Sequence, residues 1–225
     1  MGSLDTGFQD TEFVDYRHLN IPTLSVDELA QIAPQSPQLQ TLISQAPQEL
    51  QGLLRVPFNL RLLAELLGAG ISVETLTPIR TQLDLLDRYW LHRVIRSDAQ
   101  GDAREAILRS CCDVMIENRM LRAERLQLPN LAGSAALSDL LSTQVLTEWQ
   151  PTPTTPPDRY MLAFSHHVLF DYAVSRLVLR TDPANLISRF TTEPDLLLVI
   201  RPSLLLHFRH LWAADRNQFW DLTSH

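Results

Sequence analysis

Residues 164–180, FSHHVLFDYAVSRLVLR, join a run of β-forming residues to an amphipathic helix. Upstream lie QVLTEW (144–149) and RYMLAF (159–164), two β-rich runs on either side of a spacer that contains four prolines. Two such runs around a turn-rich loop predict a β-hairpin with a long tip. The helix-forming segment SAALSDLLST (134–143) comes before the hairpin, and this order predicts a winged-helix domain.

The rest of the chain carries helical patterns. Ser25 and Glu28 form a capping box that begins a helix, and PFNLRLLAELLGAG (57–70) repeats leucine at helical spacing. TQLDLLDRYWLHRVIR (81–96) and DAREAILRSCCDVMIENRML (102–121) are amphipathic. The inward face predicted for the first of these comprises Leu83, Leu86, Trp90, Leu91 and Val94.

These patterns predict a mainly α fold with one small β-hairpin. The chain divides into an irregular lead-in (1–24), a helical domain (25–80), a winged-helix domain (81–180) and the start of a further helical domain (181–225). Within the last of these, ANLISRF (184–190) is predicted to be helical, and HLNIPTL (18–24) alternates like the end of a strand.

The charge of the chain excludes several classes of chemistry. The net charge is −7, and all 19 basic residues are Arg, because the sequence contains no lysine. A phosphate-binding loop, a Schiff-base enzyme and a Ser-Lys hydrolase each need a lysine. An overall acidic chain is also a poor binder of nucleic acid, since phosphate contacts need clustered positive charge.

We expect neither a membrane-spanning segment nor a signal peptide. No apolar run reaches the roughly 18 residues that span a bilayer, because Arg or Asp interrupts each run. The first ten residues, MGSLDTGFQD, lack the basic stretch and the apolar run of a signal peptide. We therefore expect a cytoplasmic protein without membrane contacts.

Four side chains suggest metal binding at first sight. His167 and Asp171 lie one helical turn apart, and His207 and His210 form a second closely spaced pair. A zinc site needs three or four ligands that converge, and the spacing alone brings together only two at a time. An Asp one turn from a His is more often a surface pair. We predict no metal site.

The pattern contains no arrangement for nucleophilic catalysis. We predict that Ser165 and His166 are neighbours at the start of a helix, where their side chains would point about 100° apart and could not form a triad. Paired carboxylates at Asp84/Asp87 and Glu117/Glu124 leave acid–base catalysis open as a weak alternative, but both pairs are typical of solvated helix faces. Cys111 and Cys112 are adjacent, which neither permits a relaxed disulfide nor matches a zinc spacing. We predict free thiols buried on a helix and no catalytic residue in this chain.

Residues 164–173 resemble the winged-helix motif of the STAND class of P-loop NTPases, which includes the NACHT, NB-ARC and related bacterial AAA-type regulators. That motif has Phe, any residue, His, a few variable residues, an acidic residue, an aromatic residue and Ala. RVPFNLRLLAELL (55–67) resembles the proline motif of the family's first helical lid domain, with Pro57 in the proline position. The matching residues of the winged-helix motif are Phe164, His166, Asp171, Tyr172 and Ala173.

The resemblance implies roles for two residues. His166 contacts the β-phosphate of bound ADP and holds a closed, inactive state, and Pro57 lays its ring against the adenine. His167 is a second histidine that the motif lacks, and it receives no phosphate contact. The family's P-loop domain would precede this segment, so residues 1–24 would include its end. The implied cofactor of the complete protein is ATP or ADP with Mg²⁺, and none is expected for this chain alone.

The function predicted on this basis is conformational control of a STAND-type ATPase. The lid and winged helix close over ADP, and exchange for ATP releases them so that protomers form a homo-oligomer. The implied partners are an N-terminal nucleotide-binding domain and a C-terminal sensor domain. This chain alone is not expected to be an enzyme, because it has no P-loop and no lysine.

Two alternatives stay open. The first is a stand-alone helical adaptor for protein–protein interaction without a nucleotide role. RPSLLLHFRHLW (201–212) supports it, because its apolar residues would be exposed to solvent unless a partner or a further domain packs against them. The second and weaker one is a winged-helix DNA-binding regulator. Its recognition helix would be residues 134–143, which contain no Arg and one Asp, so the helix is poorly suited to phosphate contacts.

Overall fold

The computed structural model describes residues 22–128, 134–181, 188 and 192–223. Their packing gives two compact units, which divide between His92 and Arg93. The domain boundaries predicted after residues 24, 80 and 180 stay predictions. Most of the predicted strand end at 18–24 and nearly all of the predicted helix at 184–190 lie outside the described residues.

The unit of residues 22–92 is built from helices around a leucine core. Ser25 accepts a hydrogen bond from the Glu28 amide, and the Glu28 carboxylate accepts one from the Ser25 amide at 2.7 Å, so the predicted capping box is confirmed. The helices are α1 (Val26–Ile32), α2 (Pro37–Gln45), α3 (Gln48–Leu54), α4 (Pro57–Gly68), α5 (Val73–Leu76) and α6 (Gln82–Trp90).

Leucines at helical spacing form the centre of this unit. Helical spacing in the sequence predicts Leu60, Leu63, Leu66 and Leu67 on one face of α4. All four are buried, together with leucines from α2, α3 and α5. Burying a leucine side chain contributes about 1.5–3 kcal/mol, so this face holds α4 in place. The buried leucines of the four helices include Leu42, Leu50, Leu54, Leu60, Leu63, Leu66, Leu67 and Leu76.

The unit of residues 93–223 combines helices with a small sheet. A wider π-helical turn, Leu91–Ile95, follows α6, and a second one, Val174–Leu179, extends α9. The elements are α7 (Gly101–Asn118), β1 (Ala123–Glu124), α8 (Ala135–Ser142), β2 (Leu146–Trp149), β3 (Met161–Phe164), α9 (His167–Ala173), α10 (Leu196–Val199), α11 (Arg201–Ala214) and α12 (Arg216–Thr223).

The sheet is antiparallel with the strand order β1-β3-β2. Strands β2 and β3 form the predicted hairpin, in a register that places Leu146 opposite Phe164 and Trp149 opposite Met161. The short strand β1 pairs with β3 through Ala123 and Leu162 and was not predicted. In chain order this part of the unit has a helix, an edge strand, a second helix and a hairpin, and the fold as a whole is mainly α. The winged-helix assignment stays a prediction.

The hairpin loop is organised by its own polar groups. The Gln150 side-chain amide donates to the carbonyl oxygens of Pro153 and Thr155, at 3.0 and 3.1 Å. The Thr152 amide donates to the Thr155 hydroxyl at 3.0 Å. The loop is therefore a compact turn of mostly neutral side chains, and its two charged residues, Asp158 and Arg159, are adjacent and of opposite sign.

No helix in the described ranges is both long and apolar enough to cross a bilayer.

Candidate functional site

His166 lies at the junction between β3 and α9. It is the N-cap residue of α9, with extended backbone angles (φ −154°, ψ 141°), and its Nδ1 accepts a hydrogen bond from the Val168 amide at 3.2 Å. The cap satisfies one of the amides that a helix leaves unpaired at its start. Since Nδ1 is the acceptor, the neutral ring carries its proton on Nε2. The half-buried imidazole therefore presents an N–H donor.

His167 stacks on His166. The two ring centroids lie 4.3 Å apart and the ring planes differ by 30°. His167 is exposed, whereas His166 is half-buried. The stacking restricts both rings, and of the two side chains only His166 caps the helix.

The remaining motif residues build the core of this unit. Phe164 and Phe170 are buried and meet edge to face, with centroids 5.7 Å apart. Tyr172 and Ala173 have no exposed surface. These aromatic and small residues position the strand-to-helix junction that carries His166, which gives the sequence pattern a structural role.

Asp171 points into the core. Its Oδ1 accepts a hydrogen bond from the Ser203 hydroxyl at 2.9 Å, which links α9 to α11. Burial raises the pKa of Asp171 to about 6, and the bond from Ser203 opposes that rise. Asp171 is thus a buried core carboxyl, while its candidate metal partner His167 is exposed.

The two residues of the second candidate pair also differ in burial, since His207 is buried and His210 is half-buried. His207 is 2% exposed, and neither of its nitrogens has a hydrogen-bond partner among the described residues. Burial, together with the smaller effects of the positive charges of Arg180 and His210, lowers the pKa of His207 to about 4. No group of three His, Cys, Asp or Glu side chains converges in the described ranges.

The two cysteines are buried on α7 and are free thiols, as predicted. Burial raises the pKa of Cys111 to about 12 and that of Cys112 well above its usual value. A thiol must ionise to act as a nucleophile or a metal ligand. Both side chains therefore serve as small core residues.

Pro57 occupies the first position of α4. The preceding Val56 is extended and serves as the N-cap, which is the usual setting for a first-turn proline. The Pro57 ring is half-buried, so part of its apolar surface remains accessible. Pro57 belongs to the compact unit of residues 22–92 and His166 to that of residues 93–223.

Arg104 was missed by sequence reasoning. Its guanidinium is fully buried and donates to the carbonyl oxygens of Val94 and Ile95, at 2.5 and 3.1 Å. It also donates to carboxylate oxygens of Asp98 and Asp139, at 2.5 and 2.8 Å. The signal that indicates its burial is helical spacing, because α7 repeats the buried positions Arg104, Leu108, Cys111 and Met115.

The contact between Arg104 and Asp139 determines the electrostatics of α8. Asp139 is the only charged residue of this helix. Its carboxylate pairs with Arg104 and also with Arg96, whose Nη1 lies 3.5 Å from Asp139 Oδ2. The helix that would read bases in a winged-helix DNA binder therefore offers no cation. Affinity for DNA comes largely from cations on phosphates.

A shallow cavity of about 390 Å³ opens beside the sheet, lined in part by Met120, Trp149 and Met161, and it does not include His166. No protein-family model matches the chain, and no curated protein matches it either. The functional argument therefore depends on the placement of His166 and Pro57 and on the surfaces of the two units.

Proposed function

We propose that this chain is the regulatory lid and winged-helix portion of a STAND-type ATPase that responds to ADP and ATP and controls a closed-to-open switch. The supporting observation is the half-buried N-cap His166, whose Nδ1 accepts from Val168 and whose Nε2 is the donor. A hydrogen bond from this N–H to a phosphate contributes about 1.5–3 kcal/mol. That free energy corresponds to a tenfold to hundredfold bias on a two-state equilibrium.

Pro57 supports the proposal from the other unit. Its half-buried ring retains apolar surface that fits the face of an adenine. The phosphates with Mg²⁺ would be held mainly by an N-terminal nucleotide-binding domain, since this chain has no lysine for a P-loop. We expect neither hydrolysis nor tight nucleotide binding by this chain alone.

The remaining parts of the proposal follow from the same family resemblance. A C-terminal sensor domain would stabilise one state of the switch, and the open state would form a homo-oligomer in the cytoplasm. The winged helix would act as a moving part and not as a DNA reader, because the single charge of α8 is bound by Arg104.

The test is the substitution His166→Ser in the complete protein. Serine is a strong N-cap residue, so the start of α9 is retained while the imidazole donor is lost. We expect ADP to dissociate about tenfold to a hundredfold faster from this variant, measured with a fluorescent ADP analogue. His167→Ser is the matched control and should leave ADP dissociation unchanged. Equal ADP dissociation rates in wild type and His166→Ser would overturn the role of His166.

A helical interaction module without a nucleotide role is the second candidate. The observation that favours it is the outer face of α11, where Leu205 and Trp212 are 51% and 46% exposed. Large exposed apolar side chains on one face are typical of protein interaction sites. A native protein of this size without bound nucleotide, measured by native mass spectrometry, would favour this candidate over the first.

A further inference from the structure

The outer face of α11 combines apolar side chains with positive charge. Arg201, Leu205, Arg209 and Trp212 follow one another at spacings of four, four and three residues, and all four are exposed. At about 100° per residue, these positions fall within an arc of about 80°. Ser203, Leu206 and His207 lie on the opposite, buried face. We call the exposed set the α11 outer face.

The charge of this face is not compensated locally. Residues 196–214 contain no Asp or Glu. Arg201 and Arg209 make no ion pair with any other described residue. At the end of the face, the Arg216 guanidinium lies over the Trp212 ring, 4.9 Å from its centroid. The face is therefore cationic on a chain whose net charge is −7.

We propose that the α11 outer face docks a protein segment that carries carboxylates between apolar side chains. Carboxylates two helical turns apart, about 12 Å along a helix, would pair with Arg201 and Arg209. Apolar side chains between and beyond them would cover Leu205 and Trp212. Arginine forms bidentate hydrogen bonds with carboxylates, and a buried Trp or Arg is the commonest anchor of an interface. This inference deepens the second candidate function and is compatible with the first.

Charge complementarity selects this occupant over a second copy of the chain. A symmetric dimer through this face would place the arginines of one copy against those of the other, and like charges in contact cost several kcal/mol. An acidic segment has the opposite charge, so it gains from the same arrangement.

Two other classes of macromolecule fit less well. A helix that lies in a membrane surface separates its apolar face from its charges, whereas Arg201 and Arg209 share the arc of Leu205 and Trp212. Single-stranded nucleic acid needs an accessible aromatic face for base stacking. Arg216 lies over the Trp212 ring, and Phe219 meets this ring edge to face at 5.2 Å.

The test measures binding of a labelled helical peptide to the 225-residue chain. The probe has glutamates two helical turns apart with leucines between and beyond them, and a second probe has lysines in place of the glutamates. We expect the chain to bind the glutamate peptide at least about tenfold more tightly than the lysine peptide. Arg209→Glu should reverse this preference, and Leu205→Ser should weaken binding of the glutamate peptide.

The matched control is Arg159→Glu, which makes the same charge change at an exposed position in the hairpin loop. Equal weakening by Arg159→Glu and Arg209→Glu would overturn the proposal, because net charge alone would then explain binding. Equal affinity for the two peptides would also overturn it.

Three further outcomes assign the face to another occupant and therefore overturn the proposal. They are Arg209-dependent binding to phosphatidylserine vesicles, Arg209-dependent binding to single-stranded DNA, and Arg209-dependent self-association in sedimentation velocity. None of these results changes the expected effect of His166→Ser on ADP dissociation. Failure of this inference is therefore distinguishable from failure of the nucleotide switch.

Discussion

The Ser203 hydroxyl donates a hydrogen bond to the Asp171 carboxylate over 2.9 Å, inside the contact between α9 and α11. One turn further along each helix lie Ser175 and His207, which are also buried. The Ser175 hydroxyl and both His207 nitrogens lack hydrogen-bond partners among the described residues. We call these four residues the polar seam. Burial moves the pKa values of Asp171 and His207 in opposite directions, and this leads to two predictions.

Asp171→Asn should remove a pH-dependent part of the stability. The pKa of Asp171 is raised from 3.8 to about 6, so its contribution is fully present below pH 3.8 and is lost as the pH rises through 6. The free energy of unfolding of the wild type, minus that of the variant, should fall by about 2–3 kcal/mol between pH 4 and 7. Urea denaturation at each pH measures this difference.

The control for this prediction is Asp221→Asn, an exposed carboxyl on α12. Only the part of the fall that this control lacks is assigned to Asp171. If the difference in unfolding free energy for Asp171→Asn does not change with pH, this carboxyl has the same pKa in the folded and unfolded chain. Burial would then not disfavour its ionised form.

His207→Leu should change stability in the opposite sense. The pKa of His207 is lowered from 6.5 to about 4, so its contribution is present above pH 6.5 and is lost as the pH falls through 4. Leucine does not titrate, so the variant should lose about 3 kcal/mol less than the wild type between pH 7 and 4. Urea denaturation at each pH measures this difference, and an equal loss of unfolding free energy in the two proteins between pH 7 and 4 would contradict the prediction.

At pH 7 the same variant tests the cost of the unsatisfied imidazole. Leucine removes two buried nitrogens that lack hydrogen bonds in the described part of the chain, and each such group costs about 1–3 kcal/mol. We expect His207→Leu to be at least as stable as the wild type in urea. His207→Ala leaves a cavity and should be less stable than both.

Arg104→Met should destabilise the 93–223 unit, because the buried guanidinium holds two carbonyl groups and two carboxylates. Methionine fills the volume but donates nothing to the carbonyl groups of Val94 and Ile95 or to Asp139. The carboxylates are partly exposed and recover water, so we expect a loss of about 2–3 kcal/mol, mainly from the carbonyl groups. Arg61→Met breaks only an exposed pair with Glu65 and should cost less than about 1 kcal/mol. Similar urea midpoints for the two variants would show that Arg104 adds no more than a surface ion pair.

Local periodicity predicted the elements that depend on it. The hairpin, α9 and the buried leucines of α4 follow from alternation or from helical spacing within one segment. The inward face of α6 was partly wrong, because Leu91 is 47% exposed. Leu91 begins the π-helical turn Leu91–Ile95, which has more residues per turn than an α-helix and therefore changes the inward face only after Trp90. Instead Leu85 and Tyr89 are buried.

The strand β1 and the polar seam could not be predicted because they depend on distant residues. Two residues, Ala123 and Glu124, carry no periodicity, and they form a strand only because β3 pairs with them. Similarly, the sequence gives no signal that Ser203 meets Asp171, 32 positions away. The roles of His166 and Pro57 were predicted from resemblance alone, and they stay predictions.

Gly101→Ala should destabilise the start of α7, because the backbone approaches closely there. A Cβ at Gly101 would lie 2.8 Å from the Ile95 carbonyl oxygen, which also accepts from Arg104. This backbone cannot give way without disturbing that bond, so we expect a loss of about 1–3 kcal/mol in urea denaturation. Gly52→Ala is the matched control, since nothing lies within 4 Å of its Cβ position on α3. Alanine there should stabilise the chain by about 0.5–1 kcal/mol. If both substitutions stabilise the chain, the contact at Ile95 is loose enough to move, and Arg104 does not fix that carbonyl group.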